Sequence, residues 1–325
     1  MKLICGLWMA GCAMAQVGVV GIPRIDLIEF YGLHHVTPQL VRQALGVSVG
    51  APLPPSKGDA EERLLDIERV NGARLEAVCC DGGKNILYVG IEERDAPRFE
   101  VRPAPGSATA LPEDIVAAYR ALEQARHAAE VAGKTEDAGT RAAEQRLPAL
   151  ANANTGILRD VLRESGDEAQ RAVAAVMLPY VTAKADIVED LHEALTDNDA
   201  GVRVNAVRAL TQLALLGRAD AASKIRVSGA WFLDMLQSLS WQDRTQAAHA
   251  LEILTRDRDV FVLSRLRGEA LDSLIEMARW QTEAHAYPAF QLLGRVAGLT
   301  DLNTRDAWLR AGRETVIGQA LKNTR

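Results

Sequence analysis

The sequence has few aromatic residues and no cluster of basic ones. Phe, Trp and Tyr make up 5% of the 325 residues, and the net charge is −6 because 43 Asp and Glu outnumber 37 Lys and Arg. Nucleic-acid binding relies on clustered cations that neutralise phosphates and on aromatic rings that stack on bases. We therefore expect no nucleic-acid partner.

Cysteine is also scarce, with four residues in the chain. Cys5 and Cys12 fall in an apolar N-terminal stretch, which leaves Cys79 and Cys80 for the rest of the protein. Adjacent cysteines can close only a strained ring, and in a strand their side chains point to opposite faces. No CxxC motif accompanies them, so we expect one buried thiol, one exposed thiol and no metal site.

The common catalytic and nucleotide-binding motifs are missing from any credible context, including HExxH, GxSxG, the P-loop and GxGxxG. His34 and His35 are adjacent, but they precede a predicted helix in a loop where solvated side chains are expected. His249 and His285 occupy successive predicted repeats at a spacing that does not match the repeat, so they should not share a metal. We expect no catalytic residue, no cofactor and no metal.

The apolar stretch at the N-terminus is too short to span a bilayer, which takes about 20 residues. It follows Lys2, and Ala13 and Ala15 precede Gln16 in the small-x-small pattern that a signal peptidase cleaves. The sequence therefore predicts a signal peptide over residues 1–15 and an exported protein, periplasmic or associated with the cell envelope, with no transmembrane span in the mature chain.

Two alternatives remain open for this segment. Residues 9–12 resemble a lipobox, so that Cys12 would carry a lipid anchor and attach the protein peripherally to the envelope. The segment could also be a buried N-terminus of a cytoplasmic protein. The sequence of the mature N-terminus would distinguish the three interpretations.

A helix phrase recurs in the second half of the chain. It combines a residue that can cap a helix, an arginine, a small residue and a leucine. Its copies comprise Asp167, Arg171, Ala174 and Leu178; then Asp199, Val202, Arg203, Ala206 and Leu210; then Arg244, Ala247 and Leu251. Self-similarity at spacings of a few tens of residues predicts stacked helical hairpins. The small residue allows close helix approach, and Arg203 can reach a carboxylate or carbonyl of the next repeat.

This phrase resembles the second helix of a HEAT repeat. The resemblance implies an α-solenoid that binds proteins and has no reaction of its own. We predict helical pairs over residues 155–181, 185–216, 229–255 and 265–297, with a terminal helix over 302–322 and one or two further helices within 113–153. Four tryptophans recur in this half, and packing within the core or between repeats is expected for Trp231, Trp241, Trp280 and Trp308, with an exposed ligand anchor on the concave face as the alternative.

Residues 24–93 follow a different pattern. Polar and apolar residues alternate over 24–30, 74–79 and 86–91, which predicts strands. Thr37 and Pro38 mark the start of a helix that ends near residue 45, and a second helix is predicted over 57–70. The last two strands flank the turn-forming residues 81–85 and should form a hairpin. The predicted order is β-α-α-β-β.

This order resembles a POTRA domain. The corresponding segments are residues 25–32, 38–45, 47–53 and 60–70, and a last strand that ends with Val89, Glu92 and Glu93. The resemblance implies a location outside the cytoplasm and binding of partners by strand addition at the sheet edge or along the helix groove. Residues 94–112 are rich in proline and predict a semi-rigid linker. The expected fold class is therefore multi-domain, with an α+β POTRA-like domain (24–93) and an all-α HEAT-like solenoid (113–325).

Three functions are compatible with these observations. The first is a non-catalytic scaffold of the cell envelope that binds one protein partner on the solenoid surface and another at the sheet edge. The second is an accessory component of outer-membrane protein assembly or secretion. The third is a lyase-like enzyme that uses the solenoid groove, for which convergent polar groups in a pocket would be required.

Overall fold

A computed structural model of the protein describes residues 23–81, 83–134, 137–300, 310 and 312–322. Within this part of the chain the structure is mostly helical, with fourteen α-helices and one three-stranded mixed sheet, and none of the helices is both long and apolar enough to cross a membrane. The predicted signal peptide, its cleavage residues Ala13, Ala15 and Gln16, and Cys12 lie outside the described residues. So do Trp308 and the first part of the predicted terminal helix.

Residues 24–93 form a sheet unit in the predicted order. Its elements are β1 (Leu27–Tyr31), α1 (Pro38–Leu45), α2 (Lys57–Leu65), β2 (Val70–Asp81) and β3 (Lys84–Glu93). The central strand β3 pairs in parallel with β1 and antiparallel with β2. Thr37 caps α1 by accepting the Leu40 N–H, with Pro38 in the first turn.

The second helix is shorter than predicted. It ends at Leu65, and Arg69 adopts a left-handed backbone conformation with φ 76°. This turn redirects the chain so that Val70 starts β2 and pairs with Glu93 at the end of β3. Val70 fits the apolar spacing of the helix, but it is buried as the first residue of β2 and not as part of α2.

The helical region is built from twelve described helices, which are α3 (Glu113–Val131), α4 (Ala138–Glu144), α5 (Leu147–Ala153), α6 (Thr155–Glu164), α7 (Glu168–Met177), α8 (Val188–Ala194), α9 (Ala200–Ala219), α10 (Trp241–Leu254), α11 (Val260–Glu269), α12 (Leu271–Ala278), α13 (Glu283–Val296) and α14 (Arg313–Lys322). The helices α6 and α7, α8 and α9, and α12 and α13 pack as pairs. The second helix of each pair contacts the next, with α10 between the second and third pairs, so that α7, α9, α10 and α13 form a row. We call these four the second helices.

The partner helix predicted before α10 is replaced by two short 3-10 turns, Gly229–Phe232 and Asp234–Gln237. Leu233 and Leu236 are buried as the pattern indicates. The chain then leaves the helical path, because the carbonyl of Ser238 accepts a hydrogen bond from Arg244 and that of Leu239 accepts one from Tyr31. Residues 113–153 form three helices rather than one or two.

Both faces of the sheet are buried. One face packs on α1 and α2 through residues such as Leu87, Val89 and Ile91. On the opposite face Tyr31 and Tyr88 belong to the same hydrophobic cluster as the helical region. The sheet is therefore the middle layer between its own two helices and the helices that follow it in the chain.

Residues 94–112 run along the turns that precede the second helices. The N–H of Arg102 donates to the carbonyl of Thr196 (2.7 Å), before α9. Farther along, the N–H of Gly166 donates to the carbonyl of Ser107 (2.7 Å), before α7. The segment thus follows the helical region backwards, from the sheet unit near α10 towards the start of α3.

Candidate functional site

The three signature arginines occupy equivalent places in α7, α9 and α10. Each guanidinium donates to the backbone carbonyl six residues before it. The distances are 2.8 Å from Arg171 to Ser165, 2.7 Å from Arg203 to Asp197 and 2.6 Å from Arg244 to Ser238. This shared bond ties each second helix to the turn before it and gives the three helices the same rotation about their axes.

Two of these arginines also pair with a buried carboxylate of the next repeat. Arg171 donates to both carboxylate oxygens of Asp197 at 2.8 and 2.9 Å, and Arg203 binds those of Asp243 at 2.8–3.1 Å. Burial would raise the pKa of Asp197, but bonds from Arg171, the Asp199 N–H and Arg102 outweigh it and lower that pKa. We name this chain of pairs the arginine ladder.

The other signature residues have capping or packing positions. Asp167 caps α7 through the Ala169 and Gln170 N–H groups, and Asp199 caps α9 through the Val202 N–H. The apolar signature side chains are fully buried, namely Ala174, Leu178, Val202, Ala206, Leu210, Ala247 and Leu251. Together with the arginines, these residues build the helical region rather than a site open to solvent.

The ladder ends on the sheet unit. Arg244 lies 3.6 Å from a carboxylate oxygen of Glu276, and its guanidinium carbon lies 4.7 Å from the ring centroid of Tyr31. The oxygens of Glu276 accept the N–H groups of Gly32 (2.9 Å) and Leu33 (3.0 Å). Burial lowers the pKa of Arg244, which the Glu276 carboxylate opposes. The pair of Arg244 and Glu276, which is the third in the arginine ladder, therefore holds the loop that follows β1.

An aromatic cluster fills the contact between sheet and helices. Tyr88 stacks on Trp241 with centroids 4.9 Å apart and meets Trp280 edge-on at 5.1 Å, and Tyr31 meets Trp280 at 6.1 Å. The Tyr88 hydroxyl and Nδ1 of His285 are 2.7 Å apart. Such ring pairs stabilise a contact beyond the area that they bury. These two tryptophans thus join separate units of the chain, whereas Trp231 stacks on His192 within the helical region.

Backbone N–H groups of the helical region complete this contact. The Gln281 N–H donates to the carboxylate of Glu29 (2.6 Å), and the Gln242 N–H donates to Glu76 (3.3 Å). Burial raises the pKa of Glu29, and the bond from Gln281 partly offsets the rise. Polar residues on the second face of the sheet therefore have partners that the strand pattern alone could not identify.

Glu93 is the binding partner of the histidine loop. It is 2% exposed, and its carboxylate accepts the N–H groups of His34, His35 and Val36 at 2.8–2.9 Å. The His35 ring is 3.1 Å away, while most of that side chain faces solvent. Burial would raise the pKa of Glu93, but the backbone bonds dominate and lower it to about 2. The sequence indicates a loop here but not this role of its backbone.

We expect Glu93 to make the free energy of unfolding fall as the pH is lowered below about 4.5. Its pKa in the folded state is about 2, below the ordinary 4.5, so the unfolded chain binds the proton more readily. Its contribution is complete above pH 4.5 and is lost as the pH falls towards 2. Urea unfolding gives the difference in free energy of unfolding between wild type and Glu93→Gln. This difference should be smaller at about pH 2 than at about pH 7, by roughly 2–3 kcal/mol. Parallel stability curves for the two proteins would contradict the assignment.

Two clefts open on the exposed side of the second helices, which we call the second-helix face. The first cleft, about 300 Å³, lies between α3, α7 and α9, and its lining includes Arg126, Tyr180, Arg208 and Gln212. The second cleft, about 590 Å³, lies between α10 and α13. Its lining comprises His249, Glu252, Arg256, Tyr287, Pro288, Gln291 and Arg295.

The ladder explains why both clefts share one face. Val176, Arg208 and His249 each follow the signature arginine of their own helix at the same interval in the sequence. Because the three helices have the same rotation, these residues point in corresponding directions. Val176 and Arg208 line the first cleft and His249 lines the second.

No protein-family model matches this chain, and no curated protein matches it.

The described histidines lie in separate places of the fold. Among residues 23–322, as far as the structure describes them, no three His, Cys, Asp or Glu side chains are arranged to hold a metal ion. His249 lies in the second cleft, whereas His285 contacts Tyr88 of the sheet. The expectation of free thiols is wrong for Cys79, which is exposed and disulfide-bonded.

Proposed function

We propose that the protein is a non-catalytic scaffold of the cell envelope that holds a protein partner on the second-helix face. In this proposal the helical region is HEAT-like, the sheet unit is POTRA-like, and the chain is exported by its N-terminal signal. Support for these two resemblances comes from the β-α-α-β-β order around a mixed sheet and from the equivalent arginines of successive helices.

The observation that carries the proposal is the pair of clefts on one face of consecutive helices. Tyrosine, arginine, histidine and amide side chains line them. Tyrosine and arginine combine an apolar body with a polar tip and are enriched at protein interfaces. The ladder and the docked sheet hold the helices behind this face in fixed positions, so a partner would meet a preorganised surface.

A second contact at the sheet edge is compatible with the geometry but partly occupied. The strand β2 is an outer strand, and alternation directs the N–H groups of Ala73, Leu75 and Ala77 to its open side. The N–H of Leu75 donates to Glu61 of α2 at 2.7 Å. An added strand would therefore have to displace this carboxylate or pair beside it.

Site-specific photocrosslinking tests the proposal. A photoreactive phenylalanine analogue at Gln212 or His249 should yield discrete adducts in extracts of the source cells, and the same analogue at Arg265 on α11 should not. Position 265 provides the control because its side chain on α11 is 32% exposed and lines neither cleft. Identical adducts from all three positions, or none from the clefts, would refute a partner on this face.

A further inference from the structure

The two clefts carry the same kind of charge. The first cleft contains Arg126, Arg208 and Glu123, and the second contains Arg256, Arg295 and Glu252. In the first cleft Arg126 pairs with both Glu123 and Glu144, each at 3.2 Å, so Arg208 is the cation left for a ligand. In the second cleft Arg256 and Arg295 share the single carboxylate of Glu252. Each cleft therefore offers one cation to an anionic group, although the whole chain has a net charge of −6.

The two guanidinium groups at the cleft mouths are accessible. Arg208 is exposed, and Arg256 keeps 53% of its side chain in solvent while it pairs with Glu252 at 3.1 Å. Arg295 is buried deeper and is held by Glu252 and Thr255, so it contributes charge rather than a free donor. An incoming carboxylate would meet Arg208 in the first cleft and Arg256 in the second.

The helix order fixes the distance between the clefts. The first lies between α7 and α9 and the second between α10 and α13, so their centres are two helix intervals apart. Packed helices are about 8–10 Å apart, which places the centres roughly 16–20 Å from each other. An extended chain advances about 3.3 Å per residue, so it would span this distance with about five to six residues.

We infer that the partner segment on the second-helix face is an extended acidic peptide with two carboxylate side chains about five to six residues apart. One carboxylate binds at Arg208 and the other at Arg256, and the amide of Gln212 also lines the first cleft. This inference rests on the proposed scaffold function. One available cation per cleft suits single carboxylates rather than a nucleic-acid backbone, whose binding neutralises several phosphates.

The test is a selection from a phage-displayed library of random dodecapeptides on the immobilised full chain. Wild type should enrich peptides with two Asp or Glu residues about five to six apart. A synthetic peptide of the enriched sequence should bind at least about tenfold more weakly to Arg208→Glu and to Arg256→Glu. The matched control Arg265→Glu removes a partly exposed arginine that also pairs with a nearby glutamate, and it should bind like wild type.

The outcomes separate the inference from the function that it deepens. Enriched peptides without paired acids that still crosslink to Gln212 would overturn the acidic partner and retain the scaffold. Acidic peptides that bind both cleft variants like wild type would overturn the placement in the clefts. No enrichment on any variant, together with a wild-type circular dichroism spectrum, would contradict both proposals.

Discussion

Replacement of Asp243 by alanine should lower the free energy of unfolding by about 3–5 kcal/mol, because it leaves a buried cation without its anion. Asp243 is 0% exposed and accepts hydrogen bonds from Arg203 and from the Ser238 hydroxyl. In the variant, Arg203 would keep the carbonyls of Asp197 and Asn198 and the ring of Phe99 as partners, none of which carries a negative charge. Urea unfolding followed by circular dichroism measures the loss.

Glu314→Ala is the matched control for this prediction. It also removes the carboxylate of a bidentate arginine pair, with Arg279 at 2.9 and 3.0 Å, but both side chains are more than half exposed. Exposed pairs contribute about 0–1 kcal/mol. The double variant Arg203→Met, Asp243→Leu should recover much of the lost stability, since no unpaired charge remains. An Asp243→Ala protein as stable as the control would contradict a structural role for the ladder.

The arginine ladder is predictable from the sequence only in part. The spacing of Val202, Ala206 and Leu210 places Arg203 beside a buried stripe, from which it can reach the next repeat. Its partner was not identifiable, because the carboxylates have no common position. Asp197 precedes the capping residue Asp199, whereas Asp243 lies inside the first turn of α10. Only the folded backbone determines which nearby acid faces each guanidinium.

The sheet unit was predictable to the level of element order but not of packing. Alternation in β1 and β3 predicts one buried face, and Glu29, Tyr31 and Tyr88 would fit a solvated one. Their polar groups are instead satisfied by Gln281, Leu239 and His285, all about 200 residues or more away in sequence. Local periodicity carries no information about contacts at that separation, so the second buried face had no signal in the sequence.

The sequence also predicts part of the second-helix face. The repeat spacing predicts that α9 and α10 expose equivalent positions, and Arg208 and His249 occupy one such pair. It does not predict clefts, because these depend on α3 and α13, whose sequences do not carry the phrase. The arginine and glutamate side chains of each cleft come from separate segments of the chain and meet only when the helices are assembled.

The second large effect is expected at Gly90, where the sheet meets the helical region. A Cβ atom there would lie 2.6 Å from Cε2 of Tyr31 and 2.7 Å from the carbonyl oxygen of Leu239. One obstacle is a ring fully enclosed by the contact, and the other is backbone, so neither can move without separating the two units. Gly90→Val should therefore cost at least about 3 kcal/mol, at the upper end of overpacking effects.

Tryptophan fluorescence should show that Gly90→Val disrupts the contact between the sheet and the helices. Trp241 and Trp280 pack against Tyr88 and Tyr31, so a displaced sheet would expose them to water and shift their fluorescence to longer wavelength. Gly58→Ala provides the control, because the added Cβ in α2 meets no atom within 4 Å and alanine favours a helix. That variant should be as stable as wild type or slightly more so, with unchanged fluorescence. If Gly90→Val is as stable as wild type and keeps its emission maximum, the sheet does not dock on α10 and α13 as described. In that case the sheet does not hold the second-helix face in place either.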